Sequence, residues 1–388
     1  MARSAVALIN PELLSWAREN SRLNLDLVSK KSALKVERIK NWEEGKERPT
    51  VKQLKKLAKI YNQSFATFYL PKKPSLKIPK IDDFRKFPIH DIYDLPYELT
   101  KEINVASDRR EIALELYNEL NESIPKFTLV SKISDDPRNV AQDARKLLKI
   151  KIDEQISWSD SRIAFNTWRE AIEKIGILVF QSSAVSLDTM RGFSLSEFPL
   201  PVIGINRKDV HVARIFTLLH ELAHIIIHHA GICDIHNEFE NAYSKNIEMF
   251  CNEFAGSLLV PQNSFLAEDL VKTKTLYSSW DTEDISYLSK KYHVSREVIL
   301  RRLLINNKIT ESFYNVKKEE FQQEFKKKKR VKGFVPPALN VVSLSGKPFT
   351  NLVFEAHHKN KITSSTVSEY LGVKSKHFEK IKQLVGIA

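Results

Sequence analysis

The chain has 388 residues, enough for two or three domains of ordinary size, and 42% of them are hydrophobic, enough for a sizeable core. Its formal net charge of +13 is unevenly placed, with +9 in residues 1–75, +8 in residues 311–388 and −4 between them. Its two cysteines are too few for a disulfide-rich secreted protein or a four-cysteine zinc site, and they favour a reduced cytoplasmic compartment. No apolar run is long enough to predict a membrane-spanning helix.

The first elements predicted along the chain are short helices. Asn10-Pro11 is typical of a helix start, Gly45 is typical of a helix end, and Pro49-Thr50 opens the last helix of the series. The helices are predicted at 11–22, 26–31, 35–44 and 50–61. Four or five short helices in about 65 residues favour an all-α helix-turn-helix domain, which we place at residues 1–71.

The rest of the chain is predicted to be mostly helical with a small sheet, an α+β architecture. Prolines predict a linker at 72–100, after which helices are expected over 101–155. Short β-forming runs predict strands at 176–180 and 202–205. Two apolar helices are predicted at 212–229 and 246–259, the second stopped by Pro261, and further helices extend to about residue 325, where a basic run, 326–330, begins.

One sequence motif carries chemistry: His220-Glu221-Leu222-Ala223-His224, an H-E-x-x-H sequence inside a predicted helix. Residues four apart lie on one helix face, so both imidazoles can reach one metal ion. Glu221 lies beside them, placed to accept a proton from a metal-bound water. Random placement of 11 histidines and 48 acidic residues gives roughly 0.04 expected occurrences. A pair of core histidines is the alternative interpretation.

A third metal ligand is needed, and the histidines and acidic residues downstream are its candidates. They are His228, His229, Asp234, His236, Glu238, Glu240 and Glu248. His228 is eight residues from His220, about 12 Å along a helix axis, whereas two ligands of one zinc ion are at most about 4 Å apart. Glu248 has the best setting because it opens the second apolar helix, where Asn252 follows one turn later and could hold a ligand or a water.

A family resemblance is carried by three stretches, Ile205–Arg207, Arg214–His224 and Glu248–Pro261. Over about residues 160–262 the sequence resembles the ImmA/IrrE family of metallopeptidases. The resemblance implies a zincin-like domain, placed at 101–310, with Zn²⁺ bound by His220, His224 and Glu248. It implies that Glu221 is the catalytic base. Members of the family cut DNA-bound or toxin-neutralising regulators, so a regulatory protein is the implied substrate.

The N-terminal helices are similar to the Xre-type helix-turn-helix of phage repressors, through Ile39–Thr50 and Gln53–Ala58. Leu25 and Ser29 depart from that pattern, which usually has a glutamine and an alanine there. The resemblance implies duplex DNA as a partner. Arginine, lysine and asparagine read base edges or phosphates. The expected DNA-binding residues of the third helix are Lys35, Arg38, Lys40 and Asn41. A dimerisation or peptide-docking module is the alternative.

Two further regions are open to more than one interpretation. Arg191–Ser194 lies near the predicted strands, where Arg191 lines a substrate cleft that pairs with an extended peptide, or simply ends a strand. The basic helical region at 311–388 contains a cap, helix, glycine and helix pattern at 362–374. That pattern is typical of a helical hairpin packed on the preceding domain, or of a second helix-turn-helix.

Three functions compete on this sequence. The first is a cytoplasmic, DNA-bound regulator that is also a zinc endopeptidase and controls transcription in a stress, mobile-element or toxin-antitoxin context. The second is a transcription factor whose peptidase fold serves only as a sensor or docking module, and the third is an antitoxin-like binding protein. A homodimer is compatible with each. The intact motif favours the first because a binding module has no need of a base beside two metal ligands.

Overall fold

A computed structural model describes residues 5–21, 23–61, 63–74, 96–228, 231–233, 242–327 and 335–387. They divide into two compact units, with the boundary inside one helix, α5 (Tyr97–Leu120), between Val105 and Ala106. Within the described residues, no helix combines the length and the apolar character that crossing a membrane requires. The two units are taken in turn.

The first unit is a small all-helical bundle. Its helices are α1 (Pro11–Asn20), α2 (Leu25–Ser32), α3 (Val36–Glu43) and α4 (Val51–Tyr61), followed by a 3-10 helix (Phe65–Tyr69). Asn10 caps α1 through its side chain, and Asn24 does the same for α2. Gly45, which follows α3, has a φ of +73°, a conformation that glycine adopts without strain.

The apolar faces of these helices meet in one core. Its largest fully buried side chains include Trp42, Tyr61 and Phe68. A partly buried ion pair between Arg18 and Glu43, with Nε and Oε1 2.8 Å apart, ties α1 to the end of α3. Packing of this kind, rather than helix propensity, is what stabilises helices of 8–11 residues.

The second unit combines many helices with a four-stranded sheet. The helices before the site are α6 (Pro137–Leu148), α7 (Ile152–Ser157), α8 (Ser161–Lys174) and α9 (His211–Ile226). The strands are β1 (Leu178–Ser182), β2 (Gly192–Leu195), β3 (Val202–Asn206) and β4 (Gly231–Cys233). The later helices are α10 (Ala242–Leu259), α11 (Gln262–Ala267), α12 (Asp269–Thr273), α13 (Thr282–Tyr292), α14 (Arg296–Ile305), α15 (Glu311–Lys327), α16 (Pro337–Ser345), α17 (Lys347–His358), α18 (Ser364–Leu371) and α19 (Phe378–Val385).

The strand order of the sheet is β1-β3-β2-β4. β1 and β3 are parallel, whereas β2 is antiparallel to both β3 and β4. Phe193 lies opposite Gly204, and a Cβ atom at Gly204 would come within 2.2 Å of the Phe193 ring. The missing side chain therefore lets the ring lie across β3. α9 packs on this sheet, and α8 and α10 pack on α9 around a large apolar core.

Buried polar side chains fix the carboxyl end of α10. Gln155 is fully buried and donates to the carbonyl of Leu259 at 2.9 Å, and Arg145 donates to the carbonyl of Leu258. Arg302, on α14, donates to Glu253 Oε1 at 3.0 Å. The last carbonyls of a helix have no partner within it, so Gln155 and Arg145 anchor the end of α10 by donating to them.

The C-terminal helices pack on the sheet edge formed by β1. Gln181 on β1 and Arg169 on α8 each donate to the carbonyl of Ser343 on α16, both at 2.8 Å. Arg214 on α9 in turn donates to Gln181 Oε1 at 2.8 Å. These contacts place α16 over the β1 edge, and α18, which lies within 362–374, packs on α17.

Most predicted elements are confirmed, and the exceptions have local causes. The helix predicted at 212–229 ends at Ile226, and His228 has a φ of +52°, which no helix continues through. The helices expected over 101–155 are present as α5, α6 and α7, except at 121–136, where Asn121 has a φ of +53° and no helix forms again before Pro137. The basic run at 326–330 lies mostly outside the described residues.

Candidate metal centre

The motif histidines lie one turn apart on α9, with their rings together. His220 and His224 are each 1% exposed, and their Nε2 atoms are 3.2 Å apart. Such an arrangement follows from the four-residue spacing on a helix whose apolar faces are covered by the sheet and by α10.

Glu248, on the second turn of α10, brings a carboxylate to both rings. Its Oε2 is 3.3 Å from His220 Nε2, and its Oε1 is 3.1 Å from His224 Nε2. Burial raises the pKa of Glu248, but the two imidazoles outweigh burial through charge and hydrogen bonds and hold the pKa well below its ordinary value. The side chain is therefore an anion at neutral pH, the form that binds metal ions.

The spacing of these three groups fits a metal ion. Ligand atoms at about 2.0–2.1 Å from one zinc ion in tetrahedral geometry are about 3.3–3.4 Å from each other. The observed separations of 3.2, 3.3 and 3.1 Å among the three groups lie close to that value. The structure thus brings together the three residues expected as ligands, with one carboxylate oxygen of Glu248 near each of the two imidazoles.

Asn252, expected as a possible neighbour of the ligands, contacts the far side of the His220 ring. Its Oδ1 lies 3.1 Å from His220 Nδ1. A carbonyl oxygen can only accept, so Nδ1 donates and Nε2 is left to face Glu248 and His224. Asn252 therefore sets the tautomer and the orientation of the first ligand histidine.

Glu221 lies against the sheet and is fully buried. A Cβ atom at Gly192 on β2 would lie 3.2 Å from Glu221 Oε1 and 2.5 Å from Thr217 Cγ2. The carboxylate can approach the strand this closely only because position 192 has no side chain. The sequence did not reveal that Gly192 is a neighbour of Glu221, since strand pairing brings it to α9 from a distant part of the chain.

Cys251 is a second residue that sequence reasoning missed. It is fully buried, and its Sγ atom and one ring nitrogen each of His220 and His224 all lie within 4.8 Å of one another. A signal was present in the sequence: Cys251 follows Glu248 by three residues and thus shares its helix face.

The remaining ligand candidates are elsewhere or outside the described part of the chain. His228 lies beyond the end of α9, with its ring tilted at 38° to that of Phe198 and a centroid distance of 4.7 Å. His229, Asp234, His236, Glu238 and Glu240 lie outside the described residues.

Arg191 pairs with Asp209, whose Oδ2 is 3.0 Å from Arg191 Nη1. The idea that Arg191–Ser194 adds an extended peptide as a new strand is wrong for this conformation. β2 begins at Gly192 and is already paired with β3 on one side and β4 on the other. The backbone groups that a peptide strand would need are used within the sheet.

The expected DNA-binding residues lie at the surface of the first unit. Lys35, Arg38 and Lys40 are exposed and Asn41 is half-buried. The Arg38 guanidinium lies 5.4 Å from the centre of the Trp42 ring, and Lys40 is 3.8 Å from Glu44 Oε1. Ser29, one of the departures from the Xre pattern, donates to the carbonyl of Leu34 at 2.6 Å and so closes the turn between α2 and α3.

Comparison with known protein families gives a match within the second unit. Residues 172–304 match the family model Peptidase_M78, described as the IrrE N-terminal-like domain. The match extends from the end of α8 into α14 and includes the sheet, α9 and α10. No curated protein and no solved structure matches the chain. The finding supports the peptidase part of the resemblance to the ImmA/IrrE family.

Proposed function

We propose that this chain is a zinc-dependent endopeptidase whose centre is formed by His220, His224 and Glu248, with Glu221 as the base. The observation that carries the proposal is the mutual spacing of the three ligand groups, 3.1–3.3 Å in a fully buried position. Two imidazoles and one carboxylate are a ligand set found in zinc hydrolases, which keep a fourth position open for water or substrate.

A zinc ion bound there would polarise the scissile carbonyl and lower the pKa of a water molecule. The chain's own residues supply the rest. Glu221 accepts a proton from the attacking water and delivers it to the leaving nitrogen, the usual task of a carboxylate beside two histidine ligands. Gly192 lets the Glu221 carboxylate lie against β2, and Asn252 holds the His220 ring in place.

The test combines metal analysis with one isosteric substitution. We expect about one zinc per chain, and we expect Glu221→Gln to retain zinc while losing cleavage by about 10²–10⁴-fold, the contribution of a general base. Cleavage is measured on a proteome-derived peptide library and on DNA-binding proteins encoded near the gene, with new N-termini identified by mass spectrometry.

The matched control is Glu283→Gln, an exposed glutamate on α13 that has no part in the centre. A Glu221→Gln variant that cleaves at the wild-type rate would rule out this mechanism. Zinc binding with no cleavage by the wild-type chain on any probe would favour the second interpretation, a peptidase fold used as a sensor or docking module.

We also propose that the first unit binds duplex DNA and that the substrate is a regulatory protein. Exposed basic side chains on α3, together with the +9 balance of residues 1–75, support the DNA part. The resemblance to the ImmA/IrrE family supports the substrate class and a cytoplasmic role in transcriptional control. The direct measurement for DNA binding is affinity as a function of salt concentration.

A further inference from the structure

Three polar residues of α10 face the histidines of α9. Glu248, Cys251 and Asn252 are separated by three and four residues, so they span a sector of about 100° on one side of the helix. Glu248 contacts both rings through their Nε2 atoms, and Asn252 contacts His220 Nδ1. The proposed function accounts for these two residues and leaves Cys251 without a role.

We propose that Cys251 is a fourth protein donor to the metal ion held by His220, His224 and Glu248, an inference that rests on the proposed metal centre. Sγ and one ring nitrogen of each histidine lie within 4.8 Å of one another. In a tetrahedral zinc site with Zn–N of about 2.0–2.1 Å and Zn–S of about 2.3 Å, nitrogen and sulfur are about 3.6 Å apart. At most about 1.2 Å of closure is therefore needed from the 4.8 Å limit.

The chemistry of the thiol favours this role. A buried cysteine in apolar surroundings stays protonated and is inert, whereas a metal ion within reach converts it to a bound thiolate. Zinc and cobalt both accept thiolate beside imidazole ligands. The alternative, a cysteine that only fills the core, predicts no sulfur in the coordination sphere.

Coordination by Cys251 would complete a set of four protein donors. Structural zinc sites are closed in this way, while catalytic sites keep one position open. The bound thiolate therefore defines a closed, resting form of the centre, and the open form requires the Cys251 side chain to be turned away from the metal. On this helix face Glu248 is a ligand in both forms, and the position of the Cys251 side chain determines whether the site is open.

The test is titration of the full-length, metal-free protein with Co²⁺ under anaerobic conditions. We expect visible d–d bands that saturate at one equivalent, together with a near-ultraviolet thiolate-to-cobalt charge-transfer band. Cys251→Ser should lose the charge-transfer band and keep the d–d bands. Cys233→Ser, which removes the chain's other cysteine, should keep both. X-ray absorption of the wild-type zinc form should show one sulfur scatterer at about 2.3 Å.

The outcomes separate this inference from the proposed function. A d–d spectrum without charge transfer, or a charge-transfer band that persists in Cys251→Ser, overturns the role of Cys251 and leaves the metal centre standing. No uptake of cobalt or zinc overturns both. The X-ray absorption measurement needs no variant, so a zinc site without sulfur contradicts the inference even if Cys251→Ser fails to fold.

Discussion

The two units differ in how their functional residues are held. In the second unit, His220, His224 and Glu248 come from two helices, are buried and lie within 3.3 Å of each other. In the first unit, Arg38 and Lys40 are exposed on a single helix, where Arg38 lies near Trp42 and Lys40 lies near Glu44 at the helix end. One set converges from separate parts of the chain, and the other is displayed along one surface.

This difference decides how much each arrangement says about function. Burying two imidazoles beside a carboxylate costs free energy, so a sequence that keeps them together needs a reason, and a shared metal ion is one. Exposed basic side chains cost little and occur on most protein surfaces. Geometry is therefore strong support for the metal centre, whereas the DNA surface depends on charge and resemblance.

Among tests of this difference between the two units, loss of the metal ion from the second unit has the largest expected effect. We expect Glu248→Ala to weaken zinc binding by more than about 100-fold, beyond the usual effect of residues that only orient ligands. His228→Ala should keep full zinc, because that ring contacts Phe198 beyond the end of α9. Zinc content after dialysis and competition with a chelator measure both variants.

Glu248→Gln serves as the isosteric control for folding, since it keeps the shape of the side chain and removes its charge. Full zinc retention by Glu248→Ala together with loss in His228→Ala would exchange the two assignments. Circular dichroism of each variant separates loss of metal from loss of fold.

The next effect concerns the position of Glu221. Gly192→Ala would place a Cβ atom 2.5 Å from Thr217 Cγ2 and 3.2 Å from Glu221 Oε1, so α9 or the carboxylate must shift. We expect about a 100-fold lower rate of cleavage with zinc retained, because a displacement of about 1 Å in a catalytic group has such an effect.

Gly256→Ala is the matched control for this substitution. A Cβ atom at Gly256, on α10, would meet only Arg302 Cδ at 3.8 Å, and alanine is favoured over glycine inside a helix. Adding Thr217→Ser to Gly192→Ala removes the methyl group at 2.5 Å and should restore part of the rate. An unchanged rate in Gly192→Ala would show that the contact does not position Glu221.

Local patterns predicted the helices and the ligand pair, and long-range pairing set the rest of the site. The spacing of His220 and His224 is a property of one helix, and Glu248 was found because it lies on the next apolar helix. The contact of Gly192 with Glu221 depends on the register of β2 in the sheet, which a short run of four residues does not specify. Cys251 shared a face with Glu248, but its nearness to the histidines required the packing of α10 on α9.

A smaller effect is expected from the residue that orients the His220 ring, Asn252. Asn252→Ala removes the acceptor 3.1 Å from His220 Nδ1, and we expect zinc affinity to fall about 10–100-fold, as for other residues that orient a ligand histidine. Asn252→Asp retains an acceptor oxygen and should retain most of the affinity. Equal affinities for Asn252→Ala and the wild type in a chelator competition would contradict the positioning role.

The smallest effect tests whether the exposed surface of the first unit has a function at all. DNA affinity falls with salt by about 0.9 in log–log slope for each phosphate contact. We expect Arg38→Ala combined with Lys40→Ala, in the full chain, to reduce that slope by about 2 and to weaken binding to promoter DNA at low salt. The control combines Lys52→Ala and Lys56→Ala, which remove the same charge from exposed positions on α4. If the two double variants weaken binding equally, the +9 charge of residues 1–75 acts only as a general field, and α3 is not the surface that meets DNA. A clear difference between them would tie DNA binding by the first unit to particular residues, as the proposed zinc chemistry is tied to particular residues of the second unit.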